Sequence, residues 1–223
     1  MSMNCYALRL AETEVAAVKK NPAQASRMTQ TAAFAGIGAA HEELELALPD
    51  LDRHGPGGQP PRGGRDGQLW DRLKRDMSRQ LAGVKSAMSA AREVDRSRIL
   101  DLHKSRHVLH YLFNGEVDGG LPPANALLGG RELGEDMGYG PPRLHEPAAT
   151  AAFARFLAPL TVAELQRRID IRRMSELGIY CCEDEDEGSA GELRDDVGHY
   201  FPLLQTFVAE AAKNGNGMLV WLS

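Results

Sequence analysis

Between Met3 and Leu10 one face carries Met3, Cys5 and Ala7 and the other Asn4, Tyr6 and Leu8. Both faces are mainly apolar, so the segment reads as a buried strand. Helical periodicity follows over about 12–20 and 22–35, the second opened by Asn21 as N-cap and Pro22 at the first helical position, where a missing N–H costs nothing. A short helix is expected over His41–Leu48. From Gln68 to about Ser97, the residues Leu69, Leu73, Met77, Leu81, Val84, Met88 and Ala91 recur at spacings of three and four. That is a long amphipathic helix whose stripe belongs to a core. A further helix runs from about Asp101 to Asn114, ended by Gly115, and a short strand is expected around Ala126–Leu128. Helices resume at Pro147–Pro159, at Thr161, where Thr161-Val162-Ala163-Glu164 forms a capping box, and over Glu192–Lys213. A closing strand covers Met218–Leu222. The two end strands can pair in one small sheet against the helices, an α+β, mainly helical single domain spanning 1–223.

Composition changes this picture in two places. Six glycines and three prolines among residues 55–67 make that stretch a flexible surface loop within the domain. With 223 residues, 43% of them hydrophobic, the chain can bury a core without a metal or disulfide staple. No basic, then apolar leader opens the sequence, and no apolar run approaches the ~18–20 residues that a membrane span needs. Three cysteines, two of them adjacent as Cys181-Cys182, do not form a disulfide framework. A reducing cytoplasm, with no membrane contact, is the expectation.

The net charge of −5 is unevenly placed: residues 1–54 carry −2, 55–110 carry +6 and 111–223 carry −9. The basic middle would suit nucleic acid only if it formed one surface, and its charges sit on the outer face of a predicted helix with few aromatics beside them. Nucleic-acid binding through 62–106 is therefore the weakest of the readings. The acidic tract 183–187 reads as a solvated turn.

Candidate chemistry lies in two segments. On a helix beginning at Asp101, His107 and His110 fall about 40° and −20° from His103, so the three imidazoles share one face, opposite Val108, Leu109, Leu112 and Phe113. Histidines so placed can chelate a metal or transfer protons, but Lys104 puts a cation where a zinc-protease motif carries its glutamate. No metal site and no cofactor are assigned. His107 and His110 are the candidate bases. The second segment is Leu133–Leu144, where Gly138 and Gly140 flank Tyr139 and can turn the phenol and the Arg143 guanidinium outward. Tyr139 equally could plug the fold. Lys104, Asp136, Tyr139 and Arg143 are the candidate ligand-binding residues, without any phosphate-loop motif.

Several of these residues carry a resemblance. Met1-Ser2-Met3, Lys104 with His107, Leu109, His110, Tyr111, Leu112 and Gly115, Leu127-Leu128-Gly129-Gly130, Gly138-Tyr139-Gly140-Pro141 with Arg143-Leu144, and the closing strand Leu219–Ser223 resemble the YfbM-like bacterial proteins, DUF1877, a domain of unknown function. The family pattern is similar to Leu-Asp-Leu-Asp-Lys-x-Trp-His-x-Leu-His-Tyr, from which this chain departs with His103 and Arg106. The resemblance implies an α+β domain of bacterial cytoplasmic origin, with Lys104, His107 and His110 as shared features rather than His103, and no established reaction.

The functional expectation is a non-catalytic protein-interaction or ligand-binding module, of inhibitor or immunity type, with a protein partner steered by complementary charge. The alternative is a hydrolase or transferase using His107 or His110, with Arg143 holding an anion in a shared groove. No pattern sets an oligomeric state.

Overall fold

The computed structural model describes residues 4–36, 95–136, 138–182 and 187–222. Contacts divide the chain into two compact units, residues 1–30 with 95–223, and residues 31–94. The second unit lies almost wholly outside the described residues, as do the expected helices over His41–Leu48 and Gln68 onward and the loop 55–67. The acidic tract is described only from Glu187, as the backbone of a helix start.

The first unit is the expected α+β arrangement, mainly helical. It begins with β1 (Cys5–Leu10) and α1 (Glu12–Lys20), followed by α2 (Ala23–Gly36), whose residues 31–36 count with the second unit. A short 3-10 turn (Arg96–Arg98) then leads into β2 (Ile99–His103) and α3 (Arg106–Asn114). The short strands β3 (Arg131–Glu132) and β4 (Arg143–His145) precede α4 (Pro147–Leu157), α5 (Val162–Arg167) and α6 (Ile171–Glu176). The long α7 (Glu187–Lys213) and β5 (Gly217–Leu222) follow.

The five strands form one antiparallel sheet in the order β2-β1-β5-β4-β3, so the first and last strands are neighbours inside it. β1 and β5 pair without a break from Cys5↔Leu222 to Leu10↔Gly217, and every residue of both is buried. One face, with Cys5, Ala7, Leu100, Leu102, Met218, Val220 and Leu222, shares a core with side chains of α3 to α7. There Phe113 meets Phe153, Phe156 and Phe201 edge-on at 6.2, 5.9 and 6.1 Å, the arrangement that ring quadrupoles favour. Tyr6, Leu8, Leu219 and Trp221 are buried on the other face, with Tyr6 stacked on Trp221 at 5.5 Å.

Two expectations fail. Asp101 does not begin a helix: Ile99-Leu100-Asp101-Leu102-His103 is an edge strand in which Leu100 and Leu102 point into the core while Asp101 and His103 are exposed, a period of two. The helix starts five residues later, after the turn at Lys104-Ser105. Ala126–Leu128 is turn, not strand, and pairing is made instead by β3 with β4. α7 also begins before Glu192, at Glu187, and contains Pro202.

The period of two has a measurable consequence. Leu102→Ala should cost about 2–5 kcal/mol in urea unfolding, as for a large-to-small change in a closed core, whereas exposed His103→Ala should stay within about 0.5 kcal/mol.

Candidate functional site

α3 is the platform of the site. Its apolar side, Val108, Leu109, Leu112 and Phe113, is buried, and Gly115 closes it in the left-handed conformation with its N–H on the Tyr111 carbonyl. The histidines are placed otherwise than the helical wheel implied. His103 belongs to β2, where its backbone takes φ +50°, its N–H donates to Asp101 Oδ1 at 2.7 Å and its ring stacks on Tyr200. The three imidazoles therefore do not share a helical face. Among the described residues, no group of three histidine, cysteine or carboxylate side chains could hold a metal ion.

His107 has both ring nitrogens engaged. The Tyr180 N–H donates to Nδ1 at 3.0 Å, and Nε2 on the other side of the ring donates to the Val117 carbonyl at 2.9 Å. The ring thereby ties α3 to the loop after it and to the segment after α6. His110 is 0% exposed, with Asn114 Nδ2 3.1 Å from its Nε2. Burial pulls its pKa down to about 4, with His107 and Arg106 adding to the effect and Asp118 opposing it. His107 thus has no free ring nitrogen, and His110 stays neutral near neutral pH.

The cations of the site lie at the start of α3 and on β4. Lys104 is half-buried in the turn. Arg143 pairs with Val220 of β5 and so shares the core face of the sheet with Cys5 and Ala7. Its guanidinium donates to the Leu128 carbonyl and forms an ion pair with Glu132 at 3.0 Å. Arg106, one turn before His110, is half-buried. Burial lowers its pKa; Cys5 and Asp118 oppose that shift and Arg143 adds to it. This residue was missed in the sequence, although the same wheel puts it beside His110.

The Tyr139 loop is a separate construction. Asp136 Oδ1 accepts the N–H groups of Gly138 at 2.7 Å and Gly140 at 3.0 Å, while the Glu135 N–H donates to Ser26 Oγ of α2 at 2.8 Å. Gly138 and Gly140 take φ +102° and +93°, values that only glycine adopts without strain. The loop turns Tyr139 outward, 41% exposed, so it does not plug the fold. Its phenol makes no hydrogen bond or ring contact among the described residues. Asp136 thus organises the loop, Arg143 is bound to Leu128 and Glu132 at the sheet edge, and Tyr139 makes no hydrogen bond or ring contact with α3.

The family model described as "Domain of unknown function (DUF1877)" matches residues 1–221. The chain belongs to the DUF1877 family. A similar solved structure, described as that of a protein of unknown function, YfbM from Escherichia coli, is 22% identical, covering 67% of this chain and 94% of its own, with a TM-score of 0.48. No curated protein matches the chain. No helix of this DUF1877 protein is, among the described residues, long and apolar enough to cross a membrane.

Two outcomes follow for the histidines. His107→Ala leaves the Tyr180 N–H and Val117 carbonyl without their partner and should cost about 1–3 kcal/mol in urea unfolding. For His110 the unfolded chain takes up a proton below its ordinary value of 6.5 and the folded chain only below about 4. Stability should therefore fall as pH drops from about 6.5 to 4, by at most about 1.4 kcal/mol per pH unit from this residue. Burial holds His145 low as well, so it adds a slope of the same sign. The His110 ring signals in NMR should stay those of the neutral form throughout that window, and His110→Asn should flatten the stability profile.

Proposed function

We propose that this DUF1877 protein is a non-catalytic binding module of the bacterial cytoplasm, of inhibitor or immunity type, which engages a protein partner through the Tyr139 loop. The observation that carries this reading is the loop itself, an aromatic side chain held out to solvent on a backbone fixed by two hydrogen bonds to Asp136 and one to Ser26. A tyrosine presented this way loses little conformational entropy on binding, and such anchors dominate interface energetics. The excess of acidic charge over residues 111–223 favours a basic partner surface and fast, salt-dependent association. The engaged nitrogens of His107 and the sealed ring of His110 speak for a binding role over a hydrolase or transferase centred on them.

The test is affinity capture from the cytoplasm of the source cells at low and moderate salt, with wild type, Tyr139→Ser and Asp136→Ala. One protein retained at about equal stoichiometry by wild type should lose about tenfold or more of its affinity in Tyr139→Ser, and Asp136→Ala, which frees the loop, should weaken it too. Absence of a stoichiometric partner, or equal capture by all three, would overturn the reading. Turnover in a broad substrate screen that His110→Ala abolishes would restore the enzymatic one.

A further inference from the structure

The buried and half-buried arginines of the sheet are matched by partners, with one exception. Arg9, 8% exposed, pairs with Glu210 at 2.5 Å, donates to the Ser97 carbonyl and lies 4.9 Å over the Phe207 ring. Arg98 donates to the Arg9 carbonyl and pairs with Glu14. Arg143 holds Leu128 and Glu132. Arg106 is half-buried and makes no hydrogen bond or ion pair among the described residues. A guanidinium cannot shed its proton at physiological pH, so a charge withdrawn from water calls for a counter-charge.

The groups around it do not supply one. The Cys5 thiol is pushed up to about 12 by burial and stays neutral. Arg143 and His110 bring no negative charge, and Asp118 is exposed and forms no ion pair with Arg106. The adjacent Ser105, at the N-cap of α3, has a buried hydroxyl with no partner and makes no capping bond. Two consecutive side chains at the start of this helix thus lack partners.

We propose that Arg106 is the recognition residue of an anion site, at the start of α3 near Cys5 of β1 and Arg143 of β4, that takes the carboxylate of a small organic acid. A carboxylate fits because its two coplanar oxygens meet the guanidinium fork in parallel. The site is independent of the Tyr139 loop and does not rest on the partner proposed for it.

The test is an NMR titration of the arginine Nε–Hε signals of the full chain with sodium acetate, against sodium chloride and sodium phosphate at equal ionic strength, with Arg106 assigned from Arg106→Lys. Acetate should move the Arg106 signal saturably and chloride should not. Arg106→Gln should weaken acetate binding, followed by calorimetry, about ten- to a hundredfold, and Arg106→Lys, which keeps the charge and loses the fork, should weaken it less. An Arg106 signal that ignores acetate, an unchanged affinity in Arg106→Gln, or tighter binding of phosphate than of acetate would overturn the proposal. If Arg106→Gln does not fold, the wild-type titration decides by itself.

Discussion

Antiparallel pairing of β1 with β5, six residue pairs in unbroken register, brings residues 5–10 against residues 217–222 at the centre of the sheet. Everything at the site is placed by it. β5 carries β4 on its other edge, and with β4 comes Arg143; β1 carries β2, and the turn after β2 launches α3. Because strand side chains alternate with a strict period of two, the register fixes which residues face α3 and α7: Cys5, Ala7, Val220 and Arg143 on one side, Tyr6, Leu8 and Trp221 on the other. A slip of one residue would turn Arg143 away from α3 and drive Trp221 into the phenylalanine cluster.

Around this frame, the buried and half-buried arginines among the described residues follow one rule with a single departure. Arg9 and Arg98 knit β1 to the residues before β2, and Arg9 also reaches Glu210 of α7; each charge is covered by carbonyls and carboxylates. His107 spends both nitrogens bridging the loop after α3 and the segment after α6. The most conspicuous chemical residue of the sequence is in this sense part of the scaffold, because a half-buried imidazole with two backbone partners ties segments together instead of serving as a free base. Of the arginines just named and Arg143, each has its partner; Arg106 does not.

Elements whose boundaries are set by local chemistry were legible in the sequence. α1 and the β1 and β5 strands lie where the patterns put them, α4 starts at Pro147, the capping box at Thr161 is formed in full, and Gly115 ends α3. The errors lie where two periods compete over a short stretch. Leu100, Leu102, Val108 and Leu109 can be read along one helix, and only the sheet edge, which is non-local, selects alternation over Ile99–His103. That error carried His103 onto a helix face with His107 and His110. The strand near Ala126–Leu128 failed for a similar reason, since one alanine and two leucines, none of them β-branched, have no intrinsic strand preference strong enough to resist the turn built by Asn125, whose carbonyl accepts the N–H groups of Leu128 and Gly129. Of the site, the Gly-Tyr-Gly spacing allowed an outward tyrosine but equally one that plugs the fold, and Ser26, the tether of that loop, lies 109 positions from Glu135 and leaves no local signal.

His110 and Arg106 also constrain one another. Burial is the largest influence keeping the imidazole neutral, ahead of His107 and Arg106, so the cation at Arg106 reinforces a state that desolvation already imposes. An anion on Arg106 would cancel the smallest of these three influences and leave the largest in place. His110 therefore stays neutral whether or not the site is filled, and it can pack against Asn114 as an uncharged wall in both states. Filling the site thus leaves the protonation of His110 unchanged, which lets Arg106 govern recognition without a change of charge on that neighbour.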